Sequence, residues 1–264
     1  MSRRRARRIE TDRRGVSETL GYVLVFSLVI STIGAVMIFG FSGLEDRQEV
    51  EQVNNAERAF DVLADNFDDM RRYEDPSRAT EIRLAGGTLS LGEEVTVAVG
   101  QGSGGTLDAT EQTNVTLRPL VYESDGGIVV YEVGMVFRSD GETNLPRTRT
   151  PFVVTDHTAT VPAIVTVAGS GTTGITSDRA VLVSAERNPR TRTTSQRTVD
   201  AGGGQLWIEI ESPRADGWAR QLRADGFDNV IHDGDRVAAQ LESETGETPD
   251  RVTLAVTPVS VQFR

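Results

Sequence analysis

The chain has no cysteine, no lysine and only two histidines. Without cysteine, disulfides and thiolate metal sites are excluded. His157 and His232 stand 75 positions apart, with no HExxH-type spacing around either, so the spacing offers no histidine metal site. GxSxG and P-loop motifs are missing as well. The glycine-rich run Gly100–Gly105 precedes no helical pattern, so a phosphate cradle is not expected there. Asp156 and His157 are adjacent, and neighbouring strand residues point to opposite faces. Asp233 and Asp235 flank Gly234 beside His232. Their oxygens could take a divalent cation, but the EF-hand spacing is absent and a polar turn is the plainer reading. Trp207 and Trp218 read as core residues. No catalytic set emerges, so the chain is expected not to be an enzyme and to need no cofactor or metal.

What is present is charge of an unusual kind. All 28 basic residues are arginine, against 39 acidic residues. Dense carboxylate without lysine resembles the proteins of extreme halophiles. In molar salt the Debye length falls to about 3 Å, so carboxylate self-repulsion is screened. An ordinary acidic protein from a GC-rich genome is the alternative. The charge is also uneven. Seven arginines fall within residues 1–14, leaving 21 arginines against 37 acidic residues beyond Gly15. A short basic tip without aromatics, placed just before a hydrophobic run, reads as a topology signal and not as a nucleic-acid binder.

That run is long. From Thr19 to Leu44 there are 26 residues without a charge, and about 20 apolar residues span a bilayer. Arginines precede it and acidic sequence follows, so the positive-inside rule places residues 1–14 in the cytoplasm and the rest beyond residue 45 outside. Three readings compete. A cleaved secretory signal has a shorter apolar region, of roughly 7–15 residues, and a small-x-small cleavage site, to which Ser42-Gly43 lends weak support. A plain signal anchor is the second. The third is a prepilin-type signal, cut before an apolar helix that stays in the mature protein.

The third has residues of its own. Arg13-Arg14-Gly15-Val16-Ser17-Glu18-Thr19-Leu20-Gly21 resembles the processing region of archaeal type IV pilins, and VSETLGYVLVF followed by GFSGLEDR is most similar to haloarchaeal pilin-like surface proteins. The resemblance covers about residues 12–45. It implies cleavage by a prepilin peptidase between Gly15 and Val16, where a side-chain-free backbone approaches an active centre closely. Glu18 would be the third mature residue, whereas bacterial type IV pilins carry glutamate at the fifth. Glu18 either pairs with the new amino group of Val16 or, with Ser17, caps the helix start.

After Gly43 the period stays helical. Val53, Ala56, Phe60, Leu63, Phe67 and Met70 repeat at spacings of three and four, an apolar stripe. Gly40 and Gly43 mark where the helix could bend or break, and Pro76 requires it to end by Asp75. The stripe is read first as a face packed on the chain's own domain and second as a seam between chains.

From Thr80 the pattern turns to period two. Candidate strands are 81–85, 94–99, 114–122, 127–137, 152–155, 163–167, 180–186, 205–211 and 252–263, separated by glycine-rich turns that include Gly100–Gly105. One short helix opens at Ser212-Pro213, with proline at the first helical position, and ends at Gly226. Short elements follow at 229–232 and 236–241, and 243–250 reads as a flexible acidic turn. The expected fold is α+β: a long N-terminal transmembrane and stalk helix, then a mainly antiparallel, sandwich-like outer domain with one short C-terminal helix. The segments are a leader (1–15), a membrane helix (16–44), a stalk (45–75) and a β-rich part (80–264), of which 205–264 could form an α+β subregion.

Asn114-Val115-Thr116 is a sequon, placed at a strand start, and makes Asn114 a candidate glycan site. The expected partners are the lipid bilayer, a prepilin peptidase and other pilin-like subunits, with no nucleic acid. Two roles stay open: a pilin-like structural or adhesive surface protein, and a signal-anchored extracellular binding module outside any filament.

Overall fold

The computed structural model describes residues 13–169, 171, 173–187 and 195–264. The chain divides into two compact units, Met1–Gln48 and Glu49–Arg264. Helix α1 (Arg13–Arg72) contributes to both. It is one long helix, as expected, and it runs on through Gly40 and Gly43, where a bend or break was possible. It ends where the sequence predicts: Tyr73 N–H still reaches the Asp69 carbonyl at 2.8 Å, and Glu74 turns to φ 58°.

In the second unit the described strands are, in chain order, β1 (Ser77–Arg83), β2 (Thr88–Leu91), β3 (Val95–Ser103), β4 (Thr106–Leu117), β5 (Leu120–Ser124) and β6 (Gly127–Glu132). There follow β7 (Met135–Ser139), β8 (Asn144–Pro146), β9 (Val153–Val154), β10 (Thr158–Ala168), β11 (Gly174–Thr176) and β12 (Ala180–Arg187). Then come β13 (Ser195–Asp200), β14 (Gln205–Glu211), helix α2 (Ala215–Ala224), β15 (Ile231–Asp233), β16 (Arg236–Gln240) and β17 (Arg251–Phe263). Three sheets result. One runs β1-β12-β17-β10-β9, with β13 also on β17; the others run β11-β2-β5-β6-β7-β8 and β15-β16-β14-β3-β4. The pairing is antiparallel throughout the described ladders except between β10 and β17.

The unit has two hydrophobic cores. Val53, Ala56, Phe60, Leu63, Phe67 and Met70 of α1 are each at most 1 % exposed. They pack with Ile82, Leu89, Tyr122, Val129, Tyr131 and Val183. The stripe is therefore a face of the chain's own domain. The second core gathers Val97, Val130, Phe137, Ile208 and Val237 under Trp218 and Leu222 of α2. Strand β6 serves both: Val129 and Tyr131 face the helix core, and Val130 faces the other. Because neighbours on a strand point to opposite faces, a sheet covered on both sides shows a continuous apolar run instead of alternation. The run 127–137, for that reason read as one strand, is a hairpin. Val133 and Gly134, with φ of 50° and 83°, make its two-residue turn, the geometry that matches strand twist.

β10 and β17 exchange cores along their length. Ala159, Val161 and Ala163 pair with Val252, Leu254 and Val256 and lie in the α2 core. Beyond them Ile164, Val259 and Val261 lie in the α1 core. The buried parity flips from odd to even on β10 and from even to odd on β17. One parallel pair thus ties both cores together.

Other boundaries moved for local reasons. Gly100–Gly102 lies inside β3 at a bulge against β4, and the turn is Gly104-Gly105. Pro213 sits in a turn before α2, whose N-cap is Arg214. The predicted strand 114–122 is the end of β4 and the start of β5. Residues 243–247 close a tight turn, with Ser243 N–H on the Glu247 carbonyl at 2.9 Å. Strands β2, β8, β11 and β13 were not expected: three are four residues or fewer, and β13 is mostly exposed and polar.

Candidate functional site

The first unit offers a membrane-length surface. Thr19–Ile38 is helical and apolar enough to cross a bilayer, and none of it is buried. Leu24 is 70 % exposed and Phe26 62 %. A water-soluble helix hides one apolar face and keeps a polar one; this segment is apolar all round and hides none. Gly15, Val16 and Glu18 fall in the first turns of α1, and their side chains, like the basic tip 1–12, lie outside the described residues.

Asn114 lies in the second half of β4, opposite Ala98 on β3, and not at a strand start. Its side chain is exposed. Its backbone carbonyl accepts Arg197 Nη1–H at 2.6 Å. β4 is the edge of its sheet, so the sequon stands on an accessible border.

The other candidates disperse. His157 Nδ1 lies 3.4 Å from Asp250 Oδ2 on the open surface. Asp156 instead accepts Thr245 Oγ1–H at 2.7 Å. Hydrogen bonds from Ser243 and Thr245 hold its carboxyl below the usual carboxylate range. His232 Nε2 lies 2.9 Å from the Gly234 carbonyl within its own turn. Among the described residues no three His, Asp or Glu side chains converge as a metal site would require. Trp207 and Trp218 are 2 % and 0 % exposed and belong to the core.

Two ionic contacts at buried glutamates were not legible in the sequence. Glu132, fully buried, accepts Trp218 Nε1–H at 2.7 Å and Arg214 Nε–H at 2.5 Å. It holds α2 to the β6–β7 hairpin. Glu57 of α1, 8 % exposed, accepts Arg147 Nε–H, with Arg138 3.6 Å away. A glutamate inside the run Ile128–Phe137 was the available signal for the first. Nothing in the stalk distinguishes Glu57 from its exposed acidic neighbours.

Residues 14–262 match the model of a protein family described as a family of unknown function, DUF7289. The match takes in both the apolar segment and the β-rich unit. No curated protein and no solved structure matches. The chain belongs to this family of unknown function, DUF7289.

Proposed function

We propose that the protein is a type IV pilin-like, membrane-anchored cell-surface protein with a structural or adhesive role. In this reading the basic tip stays cytoplasmic, a prepilin peptidase cuts between Gly15 and Val16, and Glu49–Arg264 stands outside. The observation that carries it is the contrast within α1. Its residues 19–38 expose apolar side chains all round, while its residues 53–70 bury one apolar face completely in the β-rich unit. Such a helix needs a bilayer or neighbouring helices for its first part and needs neither for its second. The acidic, lysine-free composition fits a surface facing molar salt, and exposed Asn114 is its glycan acceptor.

A second reading keeps the anchor and drops the filament: a tethered binding module. It is favoured by the stripe of α1, which is consumed inside the chain's own domain and leaves no seam there for other subunits. Fractionation of the native host, with protease added to intact cells, tests the shared part. The protein is expected in the membrane fraction with its β-rich unit accessible to protease. Recovery in sheared filaments decides between the two readings.

A further inference from the structure

A cleft of about 610 Å³ opens between the C-terminal end of α2, the segment 149–154 that carries β9, and Glu242–Glu244 beyond β16. Its size falls in the range of small-molecule sites, about 300–1,000 Å³. All of it lies within Glu49–Arg264. Its apolar surface is aromatic and accessible. Phe152 and Phe227 line it, and both are only partly buried. Phe152 rests on the core through Trp218, with which it stacks at 5.9 Å and 4°. Phe227 stands across Phe152 at 89°, with the ring centroids 6.5 Å apart. Val153, 58 % exposed, extends the apolar wall. Two rings at a right angle form a corner, and the negative face of an aromatic ring attracts a cation within about 6 Å of its centroid.

The charges of the cleft have the matching sign. Three carboxylates, on Asp225, Glu242 and Glu244, stand against one guanidinium, on Arg149. The oxygens of Asp225 are already engaged. They accept the Thr150 backbone N–H at 2.9 Å, the Thr150 hydroxyl at 2.8 Å and the Gln221 amide at 2.8 Å. Glu242 accepts from Gln240 on one oxygen. Glu244 is exposed, and its side chain makes no hydrogen bond or ion pair among the described residues. The Ser243 hydroxyl is shared with Thr245 at 2.8 Å. An inorganic cation would need converging oxygens, and among the described residues no three such side chains converge. What the cleft offers is ring surface and unneutralised negative charge, with few directional groups left over. That suits a cation that needs no hydrogen bonds, the kind aromatic corners receive. We propose that this cleft binds a quaternary ammonium group, seated against Phe152 and Phe227 with Glu242 and Glu244 as its counter-charge. The site belongs to the β-rich unit alone and does not depend on how the N-terminus is processed.

Saturation-transfer NMR on the full chain in maltoside micelles tests it. The probe is choline, and the comparison is its neutral isostere, in which a tert-butyl group replaces the trimethylammonium. Ionic strength is held with sodium chloride, and micelles without protein give the blank. The site predicts saturable binding of choline, about fivefold tighter than the isostere, the worth of a solvent-accessible cation–π contact. Phe227→Leu keeps apolar bulk and removes the ring, and should weaken choline by about the same factor. Glu244→Gln alters one exposed side chain in a turn, so folding is not at issue; it should weaken choline and leave the isostere unchanged. No saturable transfer to choline, or equal affinity for choline and its isostere, would overturn the proposal. Choline binding untouched by both substitutions would put the ligand elsewhere and overturn it as well. Any of these failures leaves the membrane-anchor reading standing, because that reading is tested on residues 1–48.

Discussion

The carboxylate of Glu132 and the indole N–H of Trp218 meet at 2.7 Å, and both residues are closed to solvent. Arg214, at 2.5 Å, supplies the counter-charge from the turn before α2. Removing one member of a buried pair costs about 3–5 kcal/mol, because the other is left uncompensated. Glu132→Gln should lower the unfolding free energy by that order, the more so because Arg214 Nη2 is already unpartnered. Trp218→Phe keeps ring packing and should cost less, about 1–3 kcal/mol for the orphaned acceptor. Urea unfolding of the two variants checks the order.

The contrast within α1 predicts a split in mutational sensitivity. Phe60 is fully buried and Leu24 is 70 % exposed. Phe60→Ala should destabilise the β-rich unit by about 3–5 kcal/mol. Leu24→Ala should leave its unfolding free energy unchanged within about 0.5 kcal/mol. Chemical unfolding in detergent, followed by tryptophan fluorescence, reads both, since Trp218 sits in the α2 core and Trp207 is buried on β14.

Asp216 sets an acid limit. Partial burial raises its pKa, but hydrogen bonds from the Asn144 side chain and backbone outweigh this and leave it below the ordinary value. The Asn144 contacts are 2.6 and 3.2 Å long. A carboxyl depressed in the folded state contributes stability above its unfolded pKa of about 3.9 and loses it as pH falls through the folded value. Wild type should therefore lose stability on acidification below about pH 4. Asp216→Asn should be less stable at neutral pH and show less of this loss. Asp61 has the opposite sign: burial, then Glu57, raises its pKa. Asp61→Asn should be neutral to slightly stabilising at pH 7, by up to about 0.5 kcal/mol. Melting curves across a range of about pH 3–7 measure both.

Net charge sets a salt response. Beyond Gly15 the chain carries 21 arginines and 37 acidic residues. Raising salt from about 0.1 M to about 1 M shortens the Debye length from about 10 to about 3 Å, which screens self-repulsion. The melting midpoint should rise steadily with sodium chloride. A midpoint that falls over this range would remove the halophilic part of the account.

Much of this architecture was legible because local pattern and burial agree. Val53 to Met70 reads as a stripe and is buried as one. Gln205–Glu211 alternates, and β14 has those bounds. Reading failed where a strand serves two cores. The run around Val129–Phe137 is apolar on both faces, so nothing in its period marks the turn at Val133-Gly134. β10 extends five residues before its predicted start, because Thr158 to Pro162 pair in register with Arg251 to Ala255, a partnership distant in sequence. Gly217 looks misplaced in a helix until packing explains it: an added Cβ would meet the Asn144 carbonyl at 2.8 Å.

The central claim concerns the N-terminus, and the mature N-terminus in the native host tests it most directly. Mass spectrometry of the protein from membrane and sheared-surface fractions gives the answer. The account predicts a chain beginning at Val16, with Thr19–Ile38 retained. A chain beginning at Met1 or Ser2, or one cut beyond Gly43 that has lost the apolar segment, would contradict it.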